Sequence, residues 1–222
     1  MFIFLNGTSS SGKTSIARAL QRLYPTPLLY SGIDAFFNMV PEKYVGRQDD
    51  ARVGYFFQES QDEHGPITYM HSGSEGQKMH SAMAYYIRMF LEAGNDMVID
   101  EVLVGGKEGL EWYRKALGTH AGYFIGVKCK LDEVQQRERK RTDRHQNHAR
   151  PQFKVVHSHG LQYDVEVDTT ELSPEAAARK IYNYVKKAPE PKIFKGACEG
   201  EECFNVNFDD GIFHFKGHPG SI

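Results

Sequence analysis

Cysteine is scarce in this chain of 222 residues: there are three, Cys129, Cys198 and Cys203. So sparse and odd a set argues against a disulfide scaffold and suits a reducing compartment. Charge of one sign is not in excess either, since 27 Lys and Arg stand against 29 Asp and Glu, a formal net charge of −2. Without a global basic field, nucleic acid and anionic membrane surfaces are not expected as partners, and small substrates are favoured. No apolar run approaches the length of a bilayer span, and the N-terminus has no basic stretch leading into an apolar core. The expectation is a cytoplasmic protein. With 40% hydrophobic and 25% charged residues, the composition suits one sizeable α/β core with a small appendage.

The densest local signal is Gly7-Thr8-Ser9-Ser10-Ser11-Gly12-Lys13-Thr14, a complete G-x-x-x-x-G-K-[ST] element. It follows the apolar run Phe2-Ile3-Phe4-Leu5 and precedes Ile16, Ala19, Leu20 and Leu23 at helical spacing. Strand, loop and helix thus come in the order a phosphate-binding loop requires. Its glycines let consecutive N–H groups face phosphate oxygens, and the helix start adds its positive dipole end. Gly7, Thr8, Ser9, Ser10, Ser11, Gly12, Lys13, Thr14 and Ser15 are therefore expected to cradle a nucleoside triphosphate. Lys13 addresses the transferring phosphates, and the Thr14 hydroxyl is a Mg²⁺ ligand.

Short apolar runs alternate with amphipathic stretches, the pattern of a parallel sheet with helices on both faces. Strands are predicted at 2–5, 28–31, 97–100, 123–129 and 165–167, and helices at 13–24, 78–93, 109–117, 131–144 and 174–187. The last helix has Ser173 as cap and Pro174 at its first position. Residues 53–76 break the rhythm with two β-prone pieces around a polar turn, a hairpin insertion expected to cover the active-site mouth or to ornament the surface. Beyond Pro191 the chain turns aromatic and acidic, and residues 189–222 read as an extension packed on the surface of a domain spanning 1–188. Cys198, Cys203, His214 and His218 loosely match zinc-finger spacing, but Gly217, Pro219 and Gly220 oppose the helix that would aim the histidines.

Candidate chemistry gathers at strand ends. Asp34, just past the second strand, lies on the edge that carries the phosphate loop and suits a base that accepts a substrate hydroxyl proton, with a helix-capping aspartate as the plainer reading. Asp100 ends the apolar run Met97-Val98-Ile99 and would hold Mg²⁺ with Thr14. Glu101 could orient substrate, pair with a lid arginine or be solvated. If residues 131–144 are helical, Arg137, Arg141 and Arg144 share one face and read as a lid, 132–150, closing over the triphosphate. His157 and His159 read first as loop histidines without a catalytic role.

Together, residues 7–14, Gly32-Ile33-Asp34-Ala35-Phe36, residues 99–106, residues 126–129, and Val156-His157 with residues 163–170 resemble the chloramphenicol phosphotransferase family. The resemblance spans about residues 1–187, in the family's order, and does not reach the extension. It implies an α/β, P-loop kinase-type three-layer sandwich with a five-stranded parallel sheet and a hairpin insertion. It further implies ATP with Mg²⁺ as donor and transfer to the primary hydroxyl of an antibiotic-like acceptor, hence antibiotic resistance. By the same resemblance Asp34 is the base and Arg137, with its neighbours Arg141 and Arg144, belongs to the lid; Asp34, the loop's Lys13 and Arg137 are the expected catalytic residues. The chain departs from the family in its aromatic hairpin, with Tyr55, Phe56, Phe57 and Tyr69, and in its extension, so the acceptor stays open. Other readings are a kinase for an endogenous metabolite alcohol and a nucleotide-dependent switch without an acceptor. The chain contains no guanine-specific Asn-Lys-x-Asp element, which favours ATP over GTP, and an oligomer stays open.

Overall fold

The structure, a computed structural model, describes residues 1–141 and 146–196. In chain order the first half comprises β1 (Phe2–Asn6), α1 (Lys13–Leu23), β2 (Leu28–Gly32), α2 (Ile33–Phe37), β3 (Val45–Gly46), β4 (Tyr55–Asp62), β5 (Gly65–Ser72) and α3 (Ser74–Glu92). The second half comprises β6 (Asp96–Glu101), α4 (Gly106–Leu117), β7 (Ala121–Lys128), α5 (Leu131–Arg139), α6 (Ala149–Phe153), β8 (Val165–Asp168), α7 (Pro174–Val185) and β9 (Phe194–Lys195).

Side chains alternate across β1 and so divide the protein into layers. Phe2 and Phe4 join Met83, Ile87, Leu110 and Tyr113 of α3 and α4 on one face. Ile3 and Leu5 join Ile16, Leu20, Ala178 and Ile181 of α1 and α7 on the other. Because both faces are covered, the strand is apolar without interruption rather than alternating with polar residues. Burial of each such side chain contributes on the order of 1.5–3 kcal/mol. At α7, the Ser173 hydroxyl accepts the Ala176 N–H at 3.2 Å with Pro174 following it, the start expected from the sequence.

The main sheet runs β2-β6-β1-β7-β8, all parallel. Its carboxyl edge brings together Asn6, Gly32, Glu101, Lys128 and Asp168, and the site is built on that edge. The five parallel strands match the expected ones, but a sixth was not foreseen: β9 pairs antiparallel with β7. Residues 194–195 therefore belong to the sheet and not to a surface extension. Phe194 is fully buried, 4.9 Å from Phe2 and 5.7 Å from Phe4 between ring centroids. A lone phenylalanine among Pro and Lys carries no strand periodicity, which is why the sequence leaves β9 unread.

The insertion is a hairpin, β4 against β5, extended by β3 into a separate three-stranded sheet. The lid helix is shorter than predicted. α5 stops at Arg139, because the Glu138 carboxylate takes the N–H groups of His148 and Ala149 at 2.8 and 3.0 Å and the chain turns back. Arg137 is thus on the helix and Arg141 beyond it, so the shared helical face is not formed. Arg144, like Cys198, Cys203, His214 and His218, lies outside the described residues. Among the described residues no helix is long and apolar enough to cross a membrane.

Candidate active site

At the end of β1 the chain enters the loop that leads into α1 and passes against β7. A Cβ on Gly7 would lie 2.5 Å from the Val127 carbonyl oxygen, so only glycine allows this approach. Ser10 and Gly12 adopt left-handed backbone, with φ of 63° and 94°. The turn closes through Ser11 N–H to Thr8 O at 3.2 Å and Ile16 N–H to Gly12 O at 3.0 Å. Inside it, the buried hydroxyl oxygens of Ser10 and Ser11 have no partner among the described residues. Orphaned buried hydroxyls in a loop that leads into a helix N-terminus are groups that a phosphate oxygen can satisfy. Ser15 is exposed in the first turn of α1, where backbone N–H groups have no intrahelical acceptor.

Lys13 is buried, its Nζ donating to Gly7 O at 2.9 Å and Thr8 O at 2.8 Å. It also lies 3.6 Å from Oδ1 of Asp100. On the other carboxylate oxygen of Asp100, Thr14 Oγ1 donates at 2.6 Å and the Tyr30 hydroxyl at 3.2 Å. Burial and the Asp100 charge raise the Tyr30 hydroxyl to about 12, so it stays a donor. A hydroxyl and a carboxylate meeting beside the phosphate loop are a hard oxygen pair that suits Mg²⁺.

Asp34 is half-buried in the first turn of α2, two residues after Gly32, which is in register with Asp100. The candidate base and the candidate metal acid are therefore on adjacent strand ends. Arg137 lies across the loop: Nη1 donates to Thr169 Oγ1 at 3.0 Å, Nη2 to Thr169 O at 2.7 Å, and Nε to Glu133 at 2.8 Å. Thr169 Oγ1 in turn donates to Ser11 O at 2.7 Å. Arg137 is thereby tied to the phosphate loop through one side chain.

A family model described as chloramphenicol phosphotransferase-like protein matches residues 1–186. The chain belongs to this family. Two Mycobacterium tuberculosis proteins, from different strains and each named as a candidate O-phosphotransferase, are 32% identical over 200 residues, 86% of this chain and 85% of theirs. The fold is similar to that of a sugar kinase from Janibacter sp., at 18% identity and a TM-score of 0.58, over 85% of this chain and 95% of that one. It is also similar to the M. tuberculosis APS kinase solved with AMPPNP and APS, at 12% identity and 0.57, over 83% and 96%. The family member described here is thus a phosphotransferase-type protein on a P-loop kinase fold.

Within this family scaffold, several contacts have no counterpart in the sequence reading. Glu101 is buried, not solvated: the Tyr113 hydroxyl donates to it at 2.5 Å and the Val102 N–H at 2.8 Å. Burial raises its carboxyl above the usual range. Thr169, Tyr30 and Gln152 are not among the residues that the sequence marks as candidates. A polar residue directly after a strand on the phosphate edge could have marked Thr169, whereas nothing local marks Gln152, whose Oε1 accepts the Ser9 N–H at 2.8 Å. The hairpin is anchored at its base and at its tip. Tyr55 packs on Phe37 at 4.5 Å and its hydroxyl donates to Gly76 O, while Arg150 grips the hairpin tip.

Proposed function

We propose that the chain is an ATP-dependent O-phosphotransferase that moves the γ-phosphoryl group to a hydroxyl of a small molecule. The observation that carries this is the placement of Asp34 at the sheet edge shared by the phosphate loop and the Thr14–Asp100 pair. An acid at that spot suits a base for transfer to an alcohol, a role that a binding module does not need.

In the proposed reaction, residues 7–15 hold the phosphates through loop amides and the Lys13 ammonium. Thr14 and Asp100 would hold Mg²⁺, which would supply neutralising charge for the phosphates. Asp34 takes the proton of the acceptor hydroxyl as its oxygen bonds to the γ-phosphorus and the bond to the β–γ bridging oxygen breaks, leaving ADP. Arg137, held by Thr169 against the loop, balances charge spread over the transferring group. The half-buried ring of Phe37, backed by the buried Tyr55, suits an acceptor with an apolar body and a reactive hydroxyl.

The test is a panel of small alcohols, antibiotic-like and metabolic, incubated with the full chain, ATP and Mg²⁺. ADP release and a product heavier by one phosphoryl group are expected for at least one alcohol. Nucleotide binding with no ADP release across the panel would make the protein a nucleotide-dependent binding module.

A further inference from the structure

Ser9 is the third residue of the phosphate loop, and its N–H does not point to another loop atom. It donates to Oε1 of Gln152, 143 residues away in sequence, at 2.8 Å. Because the Ser9 N–H is a donor, the carboxamide is oriented with oxygen toward the loop and its Nε2 group turned away. Among the described residues that Nε2 has no hydrogen-bond partner.

The location is informative. Lys13 Nζ rests on the carbonyls of Gly7 and Thr8, the two residues before Ser9. A lysine in this position addresses the β- and γ-phosphates, so the Ser9 corner of the loop is the corner nearest the terminal phosphate.

Gln152 is also held from several directions. Two residues earlier, Arg150 is buried and bonds the hairpin carbonyls of His64, Gly65 and Pro66 at 2.7 to 2.9 Å, with Asp62 at 2.8 Å. Glu138 fixes the start of α6, the Val156 N–H donates to Gln152 O at 2.9 Å, and Val156 O accepts from Asn6 at 2.7 Å. A neutral donor whose Nε2 has no partner among the described residues is thereby fixed beside Ser9 of the loop, by the hairpin as much as by the lid.

We infer that Gln152 positions the transferring phosphoryl group: Oε1 holds the Ser9 corner of the loop, and Nε2 donates to a non-bridging oxygen of the terminal phosphate. This deepens the proposed phosphotransferase function and rests on it. The hairpin then has a role beyond the acceptor side, because Arg150 sets where Gln152 stands.

The experiment compares Gln152→Ala and Gln152→Glu with the wild-type chain. It measures affinity for ADP and for a non-hydrolysable ATP analogue by calorimetry with Mg²⁺, and kcat and KM on the acceptor found above. Glutamate keeps the size and the acceptor for Ser9 but replaces the N–H donor by a second carboxylate oxygen. Both variants are expected to lose about tenfold or more in affinity for the ATP analogue while ADP affinity stays within about twofold. Turnover is expected to fall about 10²-fold with acceptor KM unchanged. A Gln152→Glu protein that behaves as wild type would overturn the inference and leave Gln152 as a loop prop, and so would equal losses for ADP and the analogue. A thermal midpoint within a few degrees of wild type separates these outcomes from misfolding. The binding comparison needs no acceptor, so it decides the role of Gln152 even where no alcohol is phosphorylated and the proposed function fails.

Discussion

The hydroxyl of Thr14 donates to Oδ2 of Asp100 at 2.6 Å, joining the first turn of α1 to the end of β6 across 86 residues of sequence. Asp100 also lies beside the Lys13 ammonium and under the Tyr30 hydroxyl. Asp100→Asn keeps the shape and an acceptor for Thr14 but removes the charge a divalent cation needs. Turnover is expected to fall about 10²-fold or more and to require higher Mg²⁺. A Mg²⁺ titration of ADP release checks this, and a curve superimposed on that of the wild type removes Asp100 from the metal site.

Asp34→Asn should leave nucleotide binding intact, since Asp34 belongs to the first turn of α2 and not to the phosphate loop. Loss of a general base lowers turnover by about 10²–10⁴-fold. Calorimetry for ATP beside steady-state rates for the acceptor makes the comparison; undiminished phosphorylation would exclude Asp34 as the base.

Arg137 makes two bonds to Thr169 that a lysine cannot reproduce with one ammonium. Arg137→Lys is expected to raise the KM for ATP about tenfold and to lower kcat as well. Thr169→Val, which breaks the bond to Ser11 O, should push in the same direction. Kinetics of both variants at varied ATP would show it, and an unchanged KM for ATP in both would break the link between arginine and loop.

Tyr163 supports a pH prediction. Its hydroxyl oxygen lies 2.8 Å from Asn6 Nδ2, 2.6 Å from His157 Nδ1 and 2.8 Å from His159 Nε2. His159 Nδ1 accepts the Leu161 N–H at 3.2 Å, so its ring proton sits on Nε2 and is donated to Tyr163. The tyrosine proton then goes to Nδ1 of His157, which is neutral and protonated at Nε2. Burial, with Lys128, His159 and Lys13 adding, pushes His157 from 6.5 down to about 4. The unfolded chain therefore binds a proton between these pH values that the native protein does not, so the stability tied to neutral His157 is complete above pH 6.5 and is lost as pH falls toward 4. His157→Asn keeps an acceptor for Tyr163 and should flatten the fall of the urea midpoint over that window. An unaltered slope would show that His157 does not carry it.

Much of the scaffold was legible because its signals are local. The run Phe2-Ile3-Phe4-Leu5, the loop glycines, Ser173-Pro174, and the apolar strands ending in Asp100 and near Asp34 each announce an element within a few residues. What was missed depended on contacts from elsewhere. α5 ends at Arg139 because Glu138 is claimed by the amides of His148 and Ala149, and no glycine or proline in the sequence warns of it. β9 exists because Phe194 finds the ring cluster of Phe2, Phe4 and Phe124, although two residues carry no pattern of their own.

By itself, the amino-acid sequence determined that this chain carries a phosphate cradle on a buried strand followed by a helix, because that geometry is a demand on the backbone of consecutive residues. The order of the sheet decided which distant side chains meet there. Thr14 reaches Asp100, Arg137 reaches Thr169 and Ser9 reaches Gln152 only once β6, β8 and the hairpin-anchored α6 have been placed around β1. Such pairings arise from packing and loop closure over the whole domain, and no local window of residues contains them.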